Sequence, residues 1–123
     1  MVDLKRVEWI LRIGIFGTFV GHGVFAWTVK KSWLVYFTSL GFSETFAIAV
    51  LPFIGMMDML VGAWVLLKPN KYVLGWAAFW GFWTALVRPL AGEPIWDFVE
   101  RWSNWAAPLA LLYLTSRNDK RKK

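Results

Sequence analysis

Apolar residues in this chain fall into four long blocks separated by short polar joints, with neither the alternation of a half-buried strand nor the single stripe of a soluble helix. Each block is close to the ~20 residues that a helix needs to cross ~30 Å of hydrocarbon. The pattern predicts spans over residues 7–29, 44–67, 72–87 and 95–115. The expected fold is therefore all-α, an integral membrane four-helix bundle, with residues 1–116 as the transmembrane domain and 117–123 as a basic, unstructured tail.

The joint KKSWLVYFTSLGFS is too short and too mixed to span. Its Trp33, Tyr36 and Phe37, beside Leu34, Val35 and Leu40, suit a short helix in the membrane interface, where aromatic rings sit at headgroup depth. Gly41 should end that helix, and Ser43 can cap the next, with Phe46 as its first deep apolar residue. The second joint, Lys68-Pro-Asn-Lys71, reads as a tight turn that makes spans two and three antiparallel neighbours.

Inside the spans, glycines mark where helices can approach. Gly14, Gly17, Gly21 and Gly23 lie in span one, Gly17 and Gly21 as a GxxxG pair; Gly55 and Gly62 flank Asp58 in span two. Pro52 is expected to kink span two, and Pro89 to stop span three. Span three is crowded with Trp76, Phe79, Trp80, Phe82 and Trp83.

Composition supports a membrane setting: 58% of the 123 residues are hydrophobic and 19% aromatic, too apolar for an ordinary soluble domain. The first block is too long for the core of a cleavable signal peptide, and no small-residue cleavage site follows it. With no cysteine, disulfides, thiolate metal sites and thiol chemistry are excluded.

A net charge of +6 could point to nucleic acid, but the cations sit at block ends and joints and form no folded basic face. Lys5, Arg6, Lys68, Lys71, Arg117, Lys120, Arg121, Lys122 and Lys123 gather on one side; Lys30, Lys31 and Arg88, with Glu44, Glu93 and Asp97 nearby, lie on the other. The positive-inside rule then puts both termini in the cytoplasm, as in a bacterial-type inner (plasma) membrane. Membrane lipid and a protein partner or second copy are the expected partners, not nucleic acid.

Charge within the apolar blocks carries the candidate chemistry. On a continuous helix Asp97, Glu100, Arg101 and Asn104 share one stripe, at i, i+3, i+4 and i+7. Such a stripe cannot face lipid, because a charge near the bilayer centre costs at least roughly 2.5 to 3.5 kcal/mol. Counting ~1.5 Å per residue puts His22, Arg101 and Asn104 at similar depth below the outer surface. The expected site is an outward-facing polar pocket of His22, Arg88, Asp97, Glu100, Arg101 and Asn104, walled by tryptophan.

Deeper in, Arg12 and Asp58 lie close enough in depth to form a buried ion pair, with Glu8 as an alternative partner for Arg12. Structural readings stand beside the functional ones. The stripe could be salt bridges fixing helix register, His22 a hydrogen-bonded packing residue, and the tryptophans belt residues. One histidine with scattered carboxylates does not supply the three or four donors zinc requires. No nucleophile-base pair, phosphate loop or metal-spaced cluster appears, which argues against a self-contained hydrolase or transferase.

LRIGIFGTFVGHG, with an early arginine and a late His-Gly, the joint with Leu40-Gly41-Phe42, and Asp58 followed by Gly62 resemble the DoxX-like family of small four-helix membrane proteins. The likeness covers mainly the first two spans. Asp58 stands where that family usually has glutamate. The resemblance implies an integral membrane protein tied to quinone-linked or sulfur-linked redox systems, often as a partner of another subunit. On that footing the pocket is expected to bind a small molecule such as a quinone head, stacked on tryptophan and hydrogen-bonded by His22 or an arginine. The alternatives are a non-catalytic scaffolding subunit and an oligomeric small-solute transporter.

Overall fold

The computed structural model describes the backbone of residues 2–122 and the side chains of residues 2–117. The elements in chain order are α1 (Leu4–Trp27), a 3-10 turn at Lys31–Trp33 leading into α2 (Leu34–Thr38), α3 (Glu44–Leu67), α4 (Lys71–Leu90), α5 (Ile95–Val99) and α6 (Ser103–Lys122). Among the described residues there is no strand.

Caps set the boundaries. The Asp3 carboxylate accepts from the backbone N–H of Lys5 and Arg6, so α1 starts three residues before the apolar block does. At its far end Val29 adopts φ 56°, and Val29 N–H and Lys30 N–H bond back to the carbonyls of Ala26 and Phe25. This is a Schellman closure with valine where glycine is usual. Ser43 Oγ accepts from Phe46 N–H at 3.1 Å to open α3, after Gly41 at φ 96° ends the connector. Asn70 Oδ1 does the same for α4, accepting from Tyr72 and Val73.

Two helices, α1 and α3, are long and apolar enough to cross a membrane. The C-terminal half departs from expectation. Pro89 does not stop α4, which runs to Leu90 and ends at the turn where Gly92 takes φ 95°. A proline in the final turn removes only a bond to the fourth carbonyl back, and the helix is about to close anyway.

The block over 95–115 is not one helix. Between α5 and α6, Arg101 N–H bonds Phe98 O at 3.2 Å, Trp102 N–H bonds Val99 O at 3.2 Å and Asn104 N–H bonds Arg101 O at 2.9 Å, an i→i−3 tightening that rotates everything after it. The stripe Asp97, Glu100, Arg101, Asn104 is broken by that turn, so the geometry of a continuous helix does not apply to it. Beyond residue 115 the backbone stays helical to Lys122, against the expectation of an unstructured tail. The charges of Lys120, Arg121, Lys122 and Lys123 lie outside the described side chains.

Packing is organised as two pairs. α1 lies against α3 and α4 against α6, and the pairs meet through slighter α1–α6 and α3–α4 seams. The 68–71 turn does join antiparallel neighbours, yet each packs more extensively on another helix. Glycine enables both close pairs. A Cβ on Gly55 would lie 2.5 Å from Gly23 O and from Trp27 N, and one on Gly81 would strike the Asn104 carbonyl. Gly14, Gly17 and Gly21 behave otherwise, because nothing lies within 4 Å of a Cβ there. The GxxxG pair faces a gap and is not in close contact with another helix among the described residues.

One core of Ile15, Phe19, Val61, Val65, Leu74 and Leu111 fills the half of the molecule nearer the 68–70 turn. Outward faces carry large exposed apolar residues on every long helix, among them Ile10, Phe53, Leu60, Phe79 and Tyr113.

Candidate functional site

Toward the other end of the molecule the two helix pairs no longer fill the space between them, and a cavity of about 230 Å³ opens. Its roof is the connector, through Trp33, Tyr36, Phe37 and Leu40; its floor includes Asp58 and Trp80. The lining is mostly apolar and aromatic, with Thr18, His22, Asp58, Thr84, Arg88 and Asn104 as polar exceptions.

The roof is tied down by one long-range bond, Tyr36 Oη donating to Glu93 Oε1 at 2.8 Å. Glu93 is held by the α4 exit turn, where its N–H reaches Arg88 O at 3.1 Å. Burial, then the bond to Glu93, pushes the Tyr36 phenol up to about 12.

Arg88 is only 5% exposed. Its Nη1 donates back to the Thr84 carbonyl one turn earlier, and its guanidinium carbon stands 5.1 Å from the centre of the Tyr36 ring and 5.9 Å from the Trp33 ring. Its Nε has no partner, and among the described residues no carboxylate forms an ion pair with it. Glu93, expected as its partner, is engaged by Tyr36 instead.

Asp58, 4% exposed, is the second buried ionisable group; its Oδ1 has no hydrogen-bond partner, and Trp80 stands beside it. The expected pair with Arg12 does not form. Arg12 donates through Nε to Leu66 O at 2.9 Å and through Nη2 to the same oxygen, with its guanidinium 3.8 Å over the Trp9 ring. Leu66 sits in the last turn of α3, whose unpaired carbonyls form the negative end of the helix dipole, so a cation is well placed there. Glu8, the alternative partner, does not pair with Arg12 either.

Beside the cavity runs a more open groove of about 420 Å³ along the Gly17 and Gly21 face of α1. It is bordered by His22, Glu100, Arg101 and Asn104, with Thr18, His22 and Asn104 shared between groove and cavity. Arg101 Nη1 bonds the Asp97 carbonyl at 2.8 Å and Glu100 Oε1 at 2.7 Å. His22 packs edge-on to Trp33, ring centres 5.9 Å apart.

Of the six expected residues, then, His22, Arg88 and Asn104 line the cavity and Glu100 and Arg101 line the groove, while Asp97 borders neither and contributes a backbone carbonyl. Sequence reasoning missed Tyr36 as the roof tie and Asp58 as the floor. An acid with no cation at matching depth except one near a helix end was the available signal for the second.

Among the described residues no three of His, Asp and Glu converge as a metal ion would need. The arrangement suits binding: an aromatic-walled, largely apolar chamber with a buried arginine near the roof and a buried carboxyl group at the floor. No family model, characterised protein or solved structure matches the chain.

Proposed function

We propose that the chain is a DoxX-like integral membrane four-helix protein of the bacterial-type inner membrane, both termini cytoplasmic, whose cavity binds a small molecule within a redox assembly. A quinone head is the ligand the resemblance implies. One observation carries the binding role: Arg88 lines the cavity at only 5% exposure, and among the described residues no carboxylate forms an ion pair with it. A buried charge without a counter-charge is costly, so a cavity lined by one suits a ligand that presents an acceptor to it. The membrane setting draws support from apolar side chains exposed on all four long helices. A protein of this size exposing them to water would aggregate.

The test is purification in mild detergent, with an absorption spectrum and mass spectrometry of the small molecules carried along. A bound compound should accompany the wild type and be lost from folded Arg88→Gln; a compound retained equally by both would remove the cavity from the account.

A scaffolding role has its own support in the open Gly14, Gly17, Gly21 face, which suits a helix from another subunit. Gly17→Leu should then abolish co-purification with a larger complex while small-molecule binding survives.

A further inference from the structure

We infer that the cavity is entered from the side, through the seam between α1 and α6, with Thr18 and His22 on one doorpost and Asn104 on the other. This rests on the cavity being the binding site proposed above, and supplies the route by which a ligand reaches it.

Cavity and groove lie back to back. Thr18, His22 and Asn104 border both, so their side chains stand between the enclosed chamber and the open groove. The hydrogen bonds nearby run elsewhere, from Arg101 to Asp97 O and Glu100 and from Tyr36 to Glu93. Among the described residues none fastens the side chain of Thr18, His22 or Asn104, and His22 packs edge-on to Trp33. The groove is open because α1 presents glycine to it: a Cβ on Gly17 or Gly21 meets nothing within 4 Å. Toward the 68–70 turn the same seam is shut, since Ile15 and Leu111 share the one apolar core.

The two doorposts belong to different bodies. α1 is locked to α3 through Gly23 and Gly55, and Asn104 is locked to α4, its carbonyl lying where a Cβ on Gly81 would stand. Helices packed backbone to backbone resist separation, so movement falls to the slighter contact between the pairs. Of the two seams available, α3–α4 is joined by the 68–70 turn and covered by the connector, which packs on both helices and is tied to the α4 exit by Tyr36 and Glu93. The α1–α6 seam has no such strap. Among the described residues no hydrogen bond or salt bridge joins α1 to α6; the long-range bond from α1 runs from Arg12 to Leu66 O on α3.

The chain has no cysteine, so one placed inside the cavity reports access alone. Leu51 lines the cavity from α3 and is 3% exposed. An apolar cavity of ~150 Å³ admits benzene, so about 230 Å³ admits the ring of N-ethylmaleimide. That reagent should alkylate Leu51→Cys in the folded, detergent-solubilised full chain, followed by intact mass. Adding Gly21→Trp, which fills the groove from a position with free space around it, should slow the reaction by at least roughly tenfold, because a buried thiol reacts only as reagent reaches it. Gly14→Trp, on the same helix but outside the groove, and Tyr36→Phe, which unties the roof, should leave the rate unchanged. An unaltered thermal midpoint shows that the plugged variant is folded, and Gly17→Trp, bordering the same groove, is the second plug. A rate indifferent to both plugs overturns the side entrance, whether or not Tyr36→Phe raises it; so does equal slowing by Gly14→Trp, or a cysteine that reacts only after unfolding. Each of these outcomes is separate from the binding role itself, which stands or falls on the compound carried through purification.

Discussion

Val29 shows how a single residue records a compromise. A β-branched side chain at φ 56° crowds the following carbonyl, at a cost of roughly 1–2 kcal/mol, and the chain accepts it because the Schellman bonds to Ala26 and Phe25 close α1 in the direction the roof requires. Val29→Gly should therefore stabilise the protein by about 1 kcal/mol, read as a higher unfolding midpoint in detergent, and a lower midpoint would mean that the valine packs usefully. Tyr36 gives the pH prediction. Its neutral form is favoured on folding, so the stability it contributes is fully present below the ordinary value of 10.0 and is lost as pH rises through about 12. Ultraviolet titration should show one tyrosine ionising late, and Tyr36→Phe should remove that late step. At this scale the sequence exposed much of the site's inventory, since His22, Arg88 and Asn104 stand out as polar residues in apolar blocks. It did not expose pairing: Arg12 reaches a backbone carbonyl, Leu66 O, and backbone carbonyls leave no mark in a residue pattern.

Among elements, α1 approaches α3 closely, where Gly23 and Gly55 let backbone touch backbone. Gly55→Leu cannot be absorbed by a flexible neighbour, because the atoms it would meet are the Gly23 carbonyl and the Trp27 main chain. It should cost at least the 1–3 kcal/mol typical of overpacking, measured as loss of cooperative thermal unfolding, while Gly17→Leu, facing open space, should leave the isolated protein's midpoint unchanged. Depth and composition told these glycines to be contact residues without telling them apart, because rotation about a helix that is apolar all round has no polar face to fix it. The same blindness explains the α5–α6 break. ERWSN contains no glycine or proline, and three-residue tightening leaves the apolar content unchanged, so a continuous span was the natural reading.

For the molecule as a whole, the first three helical blocks, the connector and the caps at Ser43 and Gly41 were legible from hydrophobic runs and turn chemistry, whereas the break in the fourth block and the pairing of α1 with α3 and α4 with α6 were not. Which helices embrace depends on small residues meeting across space, a relation that linear spacing does not encode. That pairing has a practical outcome. Each pair already satisfies most of its own helix contacts, and the link between them is the short turn at 68–70. Two polypeptides, divided between Pro69 and Asn70 and expressed together, should recognise one another and rebuild the chamber at their seam; recovery of both halves in one purified particle would establish it, and failure to associate would mean that covalent continuity supplies what the seam lacks.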